Sequence, residues 1–146
     1  MLRGNAIAKI DEKGRLKLPA SFRALLEPKF GGTYFVTSLR GDSVRLYPME
    51  VWMRIEERLS QASSMNPSVI RFKNMVNYFG QTAVIDPQGR VLVHPLLRER
   101  AEIRGEVVVL GQHDHLEVWN RANFENRLAS DPLTDADLET LSGFGL

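Results

Sequence analysis

The sequence of 146 residues has no cysteine, so it can form no disulfide, offers no thiol nucleophile and has no thiolate ligands for a metal. It has no apolar run near the roughly 20 residues that a membrane-spanning helix needs. The opening MLRGNAIAKIDEKGR is too charged for a signal peptide. It lacks a large net charge, which is only +1. Ser21, Ser63 and Ser64 have no His/Asp context that spacing can define, and the glycine-containing stretch 31–41 matches no phosphate loop. The expectation is a cytoplasmic protein, not an enzyme, with no cofactor and no membrane partner. With 43% hydrophobic and 25% charged residues, the composition is globular.

What the chain does contain is one motif twice. Residues 10–18 read IDEKGRLKL and residues 85–93 read IDPQGRVLV. Asp11, Gly14, Arg15 and Arg23 recur as Asp86, Gly89, Arg90 and Arg98, all at one offset of 75 residues. Such an offset across strand, turn and strand marks two copies of one unit, a dimer within one polypeptide. Each half is about 70 residues, near the lower limit for an independent core, so the halves should share one. The small net charge conceals an asymmetry. Residues 1–30 carry seven basic residues against three acidic ones, and residues 131–146 carry Asp131, Asp135, Asp137 and Glu139 with no base.

The spacing predicts strands at 5–10 and 16–18 around the first turn, then a short helical turn at 21–26 broken by Pro28 and Gly31-Gly32. A hairpin follows at 33–38 and 43–47, then a helix from Pro48 to about Gln61 with Glu50 placed to pair with Arg54. Asn66-Pro67 caps and starts a second helix that Gly80 stops. Its apolar residues cover much of its circumference, which calls for burial against both halves or another subunit. The second half repeats the order: strands at 83–85 and 91–93, a helical turn at 95–100, a hairpin at 106–110 and 116–119, and a helix capped by Asn120. Thr134 with Asp137 resembles a capping box for a last short helix.

In each turn the aspartate can accept backbone N–H bonds, and the glycine supplies a positive φ. Lys9, Asp11, Lys13, Arg15 and Lys17 fall at every second position. If 9–17 stays extended, four cations share one face, the pattern of a β element that enters a DNA groove. The alternative is that Arg15 pairs with Asp11 and only stabilises the turn. Arg90 has less basic company, and the structural reading is favoured there. Alternating metal ligands at His113, Asp114, His115 and Glu117 are disfavoured, because Asp114 falls at a hairpin turn.

The M-x-R-G opening, the two D-x-x-G-R turns, Leu46-Tyr47-Pro48 before Trp52, Ser64-Met65-Asn66-Pro67, and Gly111-Gln112 before Glu117-Val118-Trp119 together resemble the bacterial MraZ family along essentially the whole chain. The resemblance implies an α+β fold: two tandem AbrB-like units (5–52 and 81–124) in a β-rich swapped-hairpin barrel, an intrachain pseudo-dimer. Connecting helices would occupy 53–80 and a helical tail 125–146. It implies a nucleoid-associated transcriptional regulator, usually a repressor. Its partners would be double-stranded DNA, recognised as promoter direct repeats before the division and cell-wall gene cluster, and further copies of itself in a closed ring. Arg15 is the foremost DNA contact that the resemblance implies, with Arg3, Lys9, Lys13, Lys17 and Arg90 as further candidates. Asp11, Gly14, Asp86 and Gly89 would shape the turns. A ring-forming scaffold whose arginines make subunit salt bridges, and an AbrB-type antitoxin, remain alternatives.

Overall fold

The computed structural model describes residues 1–146 as a mixed α+β fold of eight strands and six helices. The first half supplies β1 (Asn5–Lys9), β2 (Arg15–Lys17), α1 (Ala20–Phe30), β3 (Thr33–Thr37), β4 (Val44–Pro48) and α2 (Met49–Ser60). After α3 (Pro67–Tyr78) the order returns as β5 (Gln81–Val84), β6 (Arg90–Leu92), α4 (Pro95–Arg100), β7 (Glu106–Gly111), β8 (Leu116–Asn120) and α5 (Arg121–Ser130). A last helix, α6 (Asp135–Ser142), closes the chain.

The copies are joined by strand exchange rather than by contact between finished units. The larger sheet is antiparallel in the order β1-β7-β8-β4-β3-β5, and β2 and β6 form a separate two-stranded ribbon. The first strand of each copy pairs with the third strand of the other: β1 with β7, where Asn5 faces Leu110, and β5 with β3, where Val84 faces Thr33. The remaining cross-copy pairings join equivalent strands, β2 with β6 and β4 with β8.

This arrangement corrects two expectations. The sheet does not close into a barrel, for β1 and β5 are its two unjoined edges. The strands flanking the first turn are also not partners along their length; a single bridge, Ile10 to Leu16, links them. Alternation fixes which face a strand buries but not which neighbour it takes.

A third correction concerns α1. It runs through Pro28 to Phe30 and is capped by Gly31, whose N–H bonds the Glu27 carbonyl at 3.0 Å. Pro28 removes one hydrogen-bond donor close to the helix end, and burial of Phe22 and Leu26 offsets that loss.

The local signals elsewhere hold. The Asn66 side chain accepts from the Ser68 N–H at 2.9 Å, and that of Asn120 from the Asn123 N–H at 3.0 Å. Thr134 and Asp137 form a reciprocal capping box, and Arg54 reaches Glu50 at 2.7 Å.

The halves do share a core. One cluster of 19 buried side chains draws Leu16, Phe22, Tyr34, Val36 and Leu46 from the first copy and Val91, Leu97, Val107, Leu116 and Val118 from the second. A smaller cluster seats α2 between the sheet and α3. There Trp52 stacks on Phe35 at 4.7 Å and lies 6.3 Å from Phe72, and the Thr37 hydroxyl donates to the Val76 carbonyl at 2.6 Å. The chain covers only one side of α3: Val69 and Val76 are buried, but Ile70, Met75 and Tyr78 are exposed.

Leu16, fully buried opposite Val91 on the ribbon, belongs to both halves of this core. Leu16→Ala should cost about 2–5 kcal/mol. Denaturation followed through Trp52 in one copy and Trp119 in the other should then shift together. A shift confined to one tryptophan would mean that the cores are separate.

Candidate functional site

The two motif turns are near-identical in geometry. In the first, Oδ1 of Asp11 accepts the backbone N–H of Lys13 at 3.0 Å and of Arg15 at 2.9 Å. Its Oδ2 accepts Nε of Arg15 at 2.7 Å. In the second, Oδ1 of Asp86 accepts the N–H of Gln88 at 2.9 Å and of Arg90 at 2.8 Å, and Oδ2 takes Nε of Arg90 at 2.8 Å. These donors favour the ionised carboxylate. The Arg15 N–H, foremost, holds Asp11 below the ordinary value of 3.8, and the Arg90 N–H does the same for Asp86. The turn arginines are therefore fixed by their own aspartates, as the structural reading anticipated. Each does so through Nε, and the Nη groups of Arg15 take no hydrogen bond within the chain.

The ribbon places the two turns side by side. The Leu18 N–H donates to the Gly89 carbonyl at 2.9 Å and the Val93 N–H to the Gly14 carbonyl at 2.8 Å, so each motif strand is tied to the other motif's glycine. Leu16 and Val91 are fully buried on the inner face. The outer face carries Arg15 opposite Leu92 and Lys17 opposite Arg90. Nη1 of Arg90 lies 3.9 Å from Oδ2 of Asp11, so the second motif also touches the first motif's carboxylate.

This geometry corrects the extended basic stripe. The chain turns at 11–14, with Gly14 at φ +83°, so Lys9 and Lys13 do not continue the Arg15–Lys17 face. Both remain exposed around the turn. Arg3 lies beyond the other end of β1, about 20 Å from Lys9 at the strand rise. Arg90 was expected to lack basic company, yet it faces Lys17. That neighbour is supplied by strand pairing and lies outside the second motif. Around the second hairpin, His113 Nδ1 meets the N-terminal amine at 2.8 Å, His115 Nδ1 meets Asp114 at 2.8 Å, and Glu117 pairs with Arg45 at 3.3 Å. These side chains have separate partners instead of one ligand set.

Two further residues belong to the site. A Cβ built on Gly14 would land on Nη1 of Arg98, and one on Gly89 would land on the guanidinium of Arg23. Each arginine fills the space beside the other copy's turn glycine. Nη1 of Arg98 is buried with no hydrogen-bond partner, whereas Arg23 is held by Glu27 at 2.7 Å. The recurrence of Arg23 as Arg98 at the motif offset was the signal for this pair.

Fold and site together define a duplicated α+β protein that presents two Asp–Arg turns on one short ribbon. The family model described as "MraZ protein, putative antitoxin-like" matches residues 1–75 and 80–142. The chain belongs to the MraZ family. A protein of Koribacter versatilis is 47% identical and one of Acidobacterium capsulatum 42%, each over the full length of both chains. One of Thiobacillus denitrificans is 36% identical over 88% of this chain and 87% of its own. All three bear the name "Transcriptional regulator MraZ".

Gly14→Ala should destabilise the fold by more than the about 1–3 kcal/mol of a strained φ, because it also displaces Arg98. Adding Arg98→Ala should recover part of the loss in a double-mutant cycle; strictly additive losses would show that the two do not interact. The lowered Asp11 pKa also fixes a pH dependence. Its contribution is present above the unfolded value near 3.8 and is lost as pH falls through the lower folded value. The stability gap between wild type and Asp11→Asn should therefore narrow below pH 3.8. A gap that stays constant in acid titrations would contradict this.

Proposed function

We propose that this protein is a sequence-specific, double-stranded-DNA-binding transcriptional regulator. It represses the division and cell-wall gene cluster containing its own gene through direct repeats in the promoter, and it resides on the nucleoid. The observation that carries this reading is the outer face of the β2–β6 ribbon, where Arg15, Lys17 and Arg90 lie together on a hydrogen-bonded base. Guanidinium forks suit phosphate or a guanine edge, and a two-stranded ribbon fits the major groove. Anchoring each arginine through Nε removes much of the rotamer entropy that binding would otherwise cost.

The crosswise pairing of β1 with β7 and β3 with β5 supports the reading of the two copies as AbrB-like units with exchanged hairpins. The exposed side of α3 supports a homo-oligomer. A head-to-tail contact closes into a ring if its rotation allows, and successive subunits would then engage successive repeats with avidity.

Binding to the duplex upstream of the chain's own gene, measured by fluorescence anisotropy against a scrambled duplex, tests the proposal. Arg15→Ala should cost about 1–3 kcal/mol and flatten the preference among bases if it reads a guanine. If it holds phosphate, the loss should be uniform across sequences and the salt dependence shallower. Arg90→Ala should weaken binding less, because its Nη1 faces Asp11. Equal affinity for the upstream and scrambled duplexes, or full binding by both folded variants, would overturn the regulator reading.

A further inference from the structure

The C-terminal segment forms a helix that packs on little of its own chain. α6 has no buried residue, and Leu133, Leu138, Phe144 and Leu146 around it are 68%, 52%, 78% and 84% exposed. Eight residues fall short of the roughly 12–15 at which an isolated helix persists in water. The capping box favours the helical start but covers none of the apolar surface. Leu138 and Leu141, three apart, share one side of the helix.

A second uncovered apolar surface is the outer face of α3. Ile70, Asn74 and Tyr78 recur at a spacing of four along it, with Arg71 and Met75 beside them. Ile70 and Tyr78 are 42% and 60% exposed. The charges of the two helices are opposite. α6 carries Asp135, Asp137 and Glu139 with no base, and α3 carries Arg71 and Lys73 with no acid.

We propose that residues 131–146 of one subunit dock on the outer face of α3 of a second copy. Leu138, Leu141 and Phe144 meet Ile70, Met75 and Tyr78, and the acidic residues lie against Arg71, the cation that borders this face. The contact joins unlike surfaces, so it propagates head to tail. It names the surfaces of the homo-oligomer proposed above and is independent of DNA. The basic turns offer the tail charge but fewer apolar partners, so α3 is the better match in both respects.

The absence of cysteine allows a direct test on the full-length chain. Asn74→Cys and Ser142→Cys variants, mixed and treated with a short bismaleimide, should give covalent dimers of two chains. Lys13→Cys mixed with Ser142→Cys should not. Leu138→Glu should weaken assembly in light scattering by about tenfold, a loss of about 1.4 kcal/mol. Arg71→Glu should also weaken it. Mixing that chain with one carrying Asp135→Lys and Glu139→Lys, which leaves Asp137 in its capping box, should restore it. Three results would overturn the proposal. The first is cross-linking of the Lys13→Cys chain to the Ser142→Cys chain, which would place the tail on the basic turn. The second is cross-linking only within a single chain that carries both Asn74→Cys and Ser142→Cys. The third is an unchanged oligomer in a chain ending at Ser130. The last would leave a homo-oligomer standing while removing this contact from it.

Discussion

The pairing of β2 with β6 is the constraint on which the rest of the site depends. Only three residues from each strand take part, yet they bring the two motif turns together. Burial of Leu16 against the shared core fixes the inner face of the ribbon, so Arg15 and Lys17 must lie on the outer one, as strand alternation requires. The pseudo-twofold arrangement then sets Arg90 opposite Lys17. An isolated two-stranded ribbon would be marginal in water. This one is held by the crossed strands on either side of it, β1 to β7 and β5 to β3, and by Arg23 and Arg98 against the turn glycines. Duplication therefore gives more than two sites in one chain. Each copy completes the other's turn.

Within each turn, the aspartate organises the backbone before it organises the arginine. Exposed Asp–Arg pairs contribute only about 0–1 kcal/mol on their own. The two backbone N–H donors to each carboxylate are worth more, since hydrogen bonds to a charged acceptor are about twice as strong as neutral ones. The same hydrogen bonds lower the pKa of Asp11 and Asp86. The arginine is thus mounted on a turn that stays ionised and ordered through the neutral range. The site carries charge with little freedom to lose on contact with an anionic partner.

Much of this was legible in the sequence because it is local. The turn chemistry of Asp11 and Gly14, the caps at Asn66, Asn120 and Thr134, and the Glu50–Arg54 pair depend on neighbours within four residues. The duplication was legible from the fixed offset. Strand partnership was not, because the alternation of Asn5–Lys9 or Thr33–Thr37 is satisfied by any partner that buries the same face. The company of Arg90, the crossing of Arg98 onto Gly14 and the open edges of the sheet all follow from that partnership. α1 passed Pro28 for a different reason: a proline signal is a local cost, and burial of Phe22 and Leu26 outweighs it.

In the function proposed above, the two turns act as one surface for DNA. Hydrogen exchange on the full-length protein, with and without the duplex upstream of its own gene, tests it most directly. Amides at 11–17 and 86–92 should slow together when the duplex is added, with no comparable change on the outer face of α3. Protection confined to the helices at 49–78, with both turns exchanging as in the free protein, would contradict it.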